Sequence, residues 1–233
     1  MRILDIIYPR RCPICNGIVG GEKTKVCLDC VEKLPILKEP RCKKCSKQLE
    51  NTQDEYCFDC HHKKHYFDEG YAVLRYDEQM QKSMSYFKFH GRPEYGEFYA
   101  ELLLRAARQI IERWQVEVLL PVPIHRARRN TRGYNQTEII GRVLSKELSI
   151  PIRTDLIKRV KNTKAQKQLN IDERKKNVQN AFLASTEVGK YECILIIDDI
   201  YTTGSTIDEM AKELRKKGVK KVFFLTVCIG GGF

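Results

Sequence analysis

The sequence predicts an α/β protein, a parallel sheet flanked by helices, preceded by a small cysteine-rich metal module. Three observations predict it. An apolar run at 194–197 ends in two acids and a small, hydroxyl-rich turn, and helical periodicity follows to Gly218. Further strand patterns at 70–76, 116–122 and 222–229 are separated by helical stretches, as in βα units. Eight of the ten cysteines fall in C-x-x-C pairs before residue 61.

A chain of 233 residues has room for one full α/β domain and a small module, here expected at 66–233 and 1–65. With 42% hydrophobic and 31% charged residues it is globular in composition. No apolar run approaches the roughly 20 residues of a membrane helix. The N-terminus carries Arg2 but no long apolar stretch before Tyr8-Pro-Arg-Arg-Cys12. No signal peptide and no membrane insertion are expected, and the location expected is cytoplasmic. The net charge of +12 is concentrated, with 16 Lys/Arg against 6 Asp/Glu between Ile124 and Lys190. A single lysine there is most simply a solvated surface group, but the cluster predicts a polyanion partner, pyrophosphate-like or nucleic acid.

The pairs Cys12/Cys15, Cys27/Cys30, Cys42/Cys45 and Cys57/Cys60 recur every 15 residues. Each pair grips one side of a tetrahedral ion, so two pairs make a Cys₄ zinc site and four make two, and one or two structural zinc ions are expected. Such a ladder in a cytoplasmic chain points to metal rather than disulfides. Sequential pairing (12/15 with 27/30, 42/45 with 57/60) gives two ribbons in tandem; interleaved pairing gives a cross-brace. The 11-residue loops between successive pairs suit short hairpins and favour the sequential form. About 60 residues bury too little apolar surface to fold unaided, so the metal supplies folding energy. Closed Cys₄ sites have no open position, and the module is expected to be structural or a docking element, with Arg41, Lys43, Lys44, Lys63 and Lys64 making a mildly basic face. His61, His62 and His65 are expected to face solvent or phosphate, and Cys193 and Cys228 to be buried thiols.

Residues 70–76 alternate like an exposed strand. Met80–Phe89 and Tyr95–Trp114 read as helices, the second with Leu102, Leu103, Ala106, Ile110 and Trp114 on its inner face. Val116–Val122 is a strand that runs into the loop 124–135, where four arginines and His125 cluster. Asn135 caps the next helix, three residues before Glu138, with Ile140, Val143, Leu144 and Leu148 inward. Leu156–Phe182 reads as a strand, a polar lysine-rich stretch at 161–168, and a helix carrying Arg174 and Asn177; a long polar loop in a compact domain is usually a lid or disorder. Val222–Ile229 is the last strand, followed only by 230–233, so a hood over the site is expected from 66–95 or from the metal module. Tyr86, Phe87, Phe89 and Tyr95 are candidates to stack on a base, although such a stripe is more often core.

The turn after Ile194–Ile197 carries the most chemistry. Amides of Thr203 to Thr206 at a helix N-terminus, with the hydroxyls of Thr202, Thr203, Ser205 and Thr206, suit a phosphate. Asp198 and Asp199, at the strand's carboxyl end, suit the hydroxyls of a sugar. The spaced glycines and lysine of a Walker loop are missing. A capping box of Thr206 and Glu209 would explain the threonine but not the paired acids.

This segment resembles the phosphoribosyl pyrophosphate (PRPP) signature of type I phosphoribosyltransferases. The cysteine pairs, Pro123-Ile-His-Arg126, Arg132-Gly-Tyr-Asn-Gln136, and the string Lys158-Arg159, Gln166, Arg174, Asn177, Ala181-Phe182 are similar, in order, to the ComF competence proteins. The resemblance implies a type I phosphoribosyltransferase-like sheet. It implies that Asp198 and Asp199, the catalytic pair, hold the ribose 2′- and 3′-hydroxyls and that Thr202, Thr203, Gly204, Ser205 and Thr206 hold the 5′-phosphate. His125, Arg126, Arg129 and Arg132 would grip pyrophosphate, Mg²⁺ would bridge it to the ribose, and the 161–168 stretch would close over the ligand. It implies a protein that binds PRPP and assists uptake of single-stranded DNA, with a competence helicase or DNA-processing protein as partner. An active Mg²⁺-dependent transferase on an unidentified acceptor is the alternative. A PRPP-sensing regulator is a third reading, without a DNA-reading motif to support it.

Overall fold

A computed structural model describes residues 9–20, 24–161 and 178–230. In chain order the elements are α1 (Leu28–Glu32), α2 (Phe58–His62), β1 (Glu69–Arg75), α3 (Glu78–Phe89), α4 (Tyr95–Trp114), β2 (Val118–Pro121), α5 (Arg126–Arg132), α6 (Gln136–Leu148), β3 (Ile157–Arg159), β4 (Phe182–Ala184), β5 (Cys193–Tyr201), α7 (Ser205–Lys216) and β6 (Lys221–Ile229).

Four strands form one all-parallel sheet in the order β1-β6-β5-β2. Period-2 alternation feeds two cores. Ile194, Ile196, Val222 and Phe224 enter the core shared with α7, β3 and β4, whereas Leu195, Ile197, Phe223 and Leu225 enter the core shared with α3, α4 and α6. Both faces are covered, which is why β5 and β6 read as nearly continuous apolar runs. β3 and β4 form a separate antiparallel pair, with Ile157 opposite Ala184 and Arg159 opposite Phe182. The lysine-rich stretch beyond Lys161, with Gln166, Arg174 and Asn177, lies outside the described residues.

The pattern of α7 is as expected: Ile207, Met210, Ala211 and Leu214 are all buried. In α4 the buried face is Leu103, Ala107, Ile111 and Trp114, so Ala106 is exposed and Leu102 and Ile110 are only partly covered. The apolar stripe therefore sits about one residue round from the expected one. Ala and Leu on a helix's flank look alike in sequence, and the neighbours α3 and α6 decide which flank is covered. β1 also departs from expectation. It is an edge strand, yet Ala72, Val73 and Leu74 are buried. Segment 35–37 runs along it, with Leu37 N–H donating to Val73 O (2.9 Å) and Arg75 N–H to Pro35 O (2.8 Å). That pairing covers the strand edge.

The cysteines pair sequentially. Cys12, Cys15, Cys27 and Cys30 form one quartet and Cys42, Cys45, Cys57 and Cys60 the other, with all sulfurs of a quartet within 4.8 Å of one another. Separations such as Cys27–Cys12 at 3.7 Å, Cys15–Cys27 at 3.8 Å and Cys45–Cys57 at 3.6 Å match a tetrahedron with Zn–S of about 2.3 Å, whose edges are about 3.8 Å. Donor type and geometry both fit structural zinc. The first ribbon packs on α3 and α4: Cys12 and Ile14 share their core, Ser83 Oγ donates to Pro13 O, and Tyr95 Oη donates to Asn16 Oδ1 (2.6 Å). The second shares the opposite core with β4 and α7.

Two outcomes are expected from this packing. Metal analysis should find two zinc ions per chain, and a double Cys→Ser change in either quartet should remove one. In Gly70→Ala, the new Cβ would lie 2.0 Å from a ring carbon of Phe224. That substitution should cost about 1–3 kcal/mol in urea unfolding, followed by the fluorescence of the single tryptophan, Trp114.

Candidate functional site

β2 ends its pairing at Pro121–Ile197, while β5 and β6 continue together to Tyr201–Ile229. A crevice opens where the strands part, the usual ligand position of an open parallel sheet. It is a cleft of about 650 Å³ walled by the end of β5, the turn after it, α5, the start of α6, Arg159 of β3, and the C-terminal half of α3.

Asp198 and Asp199 lie in its floor, 9% and 3% exposed. They stand within β5 rather than after it, since pairing with β6 carries the strand three residues past Asp198. Both oxygens of Asp199 are engaged, by Lys88 Nζ of α3 at 2.7 Å and by Gln136 Nε2 of α6 at 2.5 Å. Asp198 Oδ1 accepts from the N–H of Asp199 (2.9 Å). Burial, and then the charge of Asp199, push the Asp198 carboxyl up to about 7.

Residues 202–206 form the turn into α7, with Gly204 as N-cap at φ 76° and no side-chain cap. A capping box is thus absent: Thr206 is already inside the helix, and Glu209 accepts from the N–H of Asn180 instead (2.8 Å). Thr202 and Thr206 line the cleft, and the hydroxyls of Thr203 and Ser205 bond each other at 2.9 Å. Gly204 is required: its φ suits glycine, and a Cβ there would sit 2.3 Å from Tyr201 Oη.

The arginine-rich loop contains a helix. His125 caps α5 by accepting from Ala127 N–H (3.2 Å), and Gly133 ends it at φ 83°. Helical winding sorts the basic residues. Arg128 and Arg132 line the cleft, while His125 and Arg126 lie outside its wall. Arg129 turns to Glu138 in a two-pronged ion pair of 2.6 and 3.0 Å. Asn135 caps α6: its Oδ1 accepts from Thr137 N–H, and its Nδ2 donates to Glu138 Oε1 (3.3 Å) and to Val122 O, pinning α6 to the end of β2. Gln136 accepts from Arg132 and donates to Asp199, linking the basic turn to the acid pair.

Arg159 completes a group of three guanidiniums. Burial disfavours the charged form of all three, most in Arg159, which burial and then repulsion by Arg128 lower to about 10. A cleft that crowds half-buried cations in this way favours an anion. Lys88, Gln136, Arg128 and Arg159 are lining residues that the sequence did not single out. Gln136 and Arg159 stood in the family-like strings and Arg128 in the arginine cluster. Lys88 has no local signal, because only the packing of α3 brings it to β5. Of the four aromatic candidates, Phe87 and Tyr95 are core residues, Tyr86 is half-buried, and Phe89 is exposed at the cleft with the Arg132 guanidinium 5.0 Å over its ring. His61 and His62 are exposed as expected, but the side chain of His65 is buried, its Nδ1 2.6 Å from Asp208 Oδ2.

An all-parallel sheet with paired acids and a hydroxyl-rich turn at the end of a central strand, facing a basic turn, defines a type I phosphoribosyltransferase-like fold, here joined to two zinc ribbons. Residues 138–231 match the family described as phosphoribosyl transferase domain, and residues 3–61 match the double zinc ribbon domain. "Competence protein F" of Haemophilus influenzae is 31% identical over 217 residues, 91% of this chain and 93% of that protein. "Competence protein ComFC" of Bacillus subtilis is 26% identical over 202 residues, 83% of this chain and 79% of that one. "DNA utilization protein YhgH" of Escherichia coli K12 is 29% identical over 161 residues, 67% and 70% of the two chains. The chain belongs to the ComF family of competence proteins.

The acid pair makes a testable contribution to stability. A carboxyl raised in the folded state keeps a proton that the unfolded chain releases. Its contribution therefore weakens as pH rises from the ordinary 3.8 through about 7. Asp198→Asn should gain stability on the parent chain between pH 5 and pH 8 in urea unfolding; an equal difference at both pH values would refute this.

Proposed function

We propose that the cleft binds PRPP and that the protein assists uptake of single-stranded DNA in natural transformation, on the cytoplasmic side and with a helicase or DNA-processing protein. One observation carries the ligand reading: two carboxylates and a helix-N-terminal hydroxyl turn face Arg128, Arg132 and Arg159 across a single cleft. A ligand with vicinal hydroxyls and phosphates at both ends satisfies all three groups at once. In this reading the 202–206 turn takes the 5′-phosphate and Asp198 and Asp199 take the ribose hydroxyls. Arg132, joined by Arg128 and Arg159, takes the pyrophosphate, while Arg129 supports α6 through Glu138. The DNA role is favoured by the names of the relatives and by the net charge of +12, which suits phosphate-backbone contact. No helix among the described residues is long and apolar enough to cross a membrane.

Mg²⁺ fits as a ligand-borne ion. Asp199 is already held by Lys88 and Gln136, so the ion would be bound chiefly by phosphate oxygens, hydroxyls and water. A second reading, an active transferase, is favoured by the guanidiniums, which would stabilise departing pyrophosphate.

Calorimetry with PRPP and Mg²⁺ should show binding that Asp198→Asn/Asp199→Asn weakens by at least about tenfold and Arg132→Ala by about tenfold, the worth of a charge-assisted hydrogen bond. Unchanged affinity in the double acid variant would overturn the site. Release of pyrophosphate with a base, amine or nucleic acid would establish the transferase reading, and normal transformation after clean deletion in a competent host would sink the DNA role.

A further inference from the structure

The 202–206 turn works as an anion site only if its amides are held in one arrangement, and the contacts that hold it lead to the second ribbon. Tyr201 lies directly beneath Gly204 and is 4% exposed. Its ring stacks on Phe224 at 4.7 Å and 6°, and Phe224 meets Phe67 edge-on at 4.9 Å. Phe67, 1% exposed, stacks under His65 at 4.7 Å, lies 5.3 Å below the Lys44 ammonium and shares its core with Cys42, Cys45 and Cys57. Lys44 is tied to β1 through its carbonyl, which accepts from Gly70 N–H at 2.9 Å.

A second path reaches the helix itself. Asp208 is in the first turn of α7, where its negative charge would oppose a bound anion. Both of its oxygens are turned away: Oδ2 lies 2.6 Å from His65 Nδ1, and Oδ1 accepts from Tyr66 N–H at 3.0 Å. A carboxylate only accepts, so Nδ1 carries the proton. His65 is five residues past Cys60 and its side chain is 3% exposed, which places the clamp at the exit of the second quartet. The first quartet packs instead on α3 and α4, behind the Lys88 wall.

We propose that the second ribbon is the scaffold of the phosphate turn. His65 is its positioning residue, anchoring Asp208 through the Nδ1 hydrogen bond, and the rings of Phe67, Phe224 and Tyr201 hold Gly204 from below. Zinc in the second quartet, not the first, then sets the competence of the turn for anions. This rests on the reading of 202–206 as a phosphate site.

Ribose 5-phosphate is the probe, with zinc content and hydrogen exchange of the 203–209 amides as independent readouts. In the full chain, His65→Ala should keep two zinc ions yet weaken ribose 5-phosphate about tenfold, as loss of a charged hydrogen bond implies. Adding Asp208→Asn should recover most of that loss by removing the unmet charge. Cys57→Ser/Cys60→Ser should lose one zinc ion and the protection of the 203–209 amides, whereas Cys12→Ser/Cys15→Ser should keep that protection. A change below about twofold in His65→Ala, no recovery in the double variant, or equal loss of protection from either quartet would overturn the proposal. Failure of the parent chain to bind the probe would overturn the phosphate reading and this inference with it, whereas binding by the parent with no effect of His65→Ala would overturn the inference alone.

Discussion

Two adjacent carboxylates buried at the end of a central strand are costly, and much of the surrounding structure answers that cost. Desolvation pushes Asp198 toward its neutral form, and Asp199 stays compatible with burial because Lys88 and Gln136 saturate it. Lys88 comes from α3 and Gln136 from α6, so the acid pair fixes where two helices must meet β5. Gln136 also receives from Arg132, which carries the compensation on to the basic turn. The cleft is a charge network whose balance is completed from both walls.

The zinc ribbons belong to the same construction. Each quartet contributes cysteines to a different side of the sheet, the first to the core of α3 and α4, the second to that of α7 and β4. The segment joining them covers the edge of β1. A thiolate-bound ion replaces apolar area that so small a module cannot bury, and it also gives the adjoining cores rigid boundaries. One ribbon stands behind the Lys88 wall and the other behind the 202–206 turn.

Much of the site was legible because its chemistry is local. The run Ile194–Thr206 holds acids, turn and helix start within a few residues, and the 15-residue repeat of cysteine pairs places ligands at fixed chain distances. What escaped was relational. Arg128 and Arg129 are equivalent neighbours in sequence, but helical winding in α5 sends one to the cleft and the other to Glu138. His65 reads as one of three surface histidines until Asp208, far along the chain, is packed beside it.

The sequence alone determined the class of fold, the four metal-ligating cysteine pairs and the Asp198–Thr206 segment, because strand periodicity, ligand spacing and turn chemistry are short-range properties of a chain; which pairs share an ion was left to the fold. The tertiary structure alone decided which cations face the acids, which flank of α4 is buried and which ribbon supports which wall. Those choices depend on packing and on mutual neutralisation of charges brought together from distant segments, and no local pattern records them.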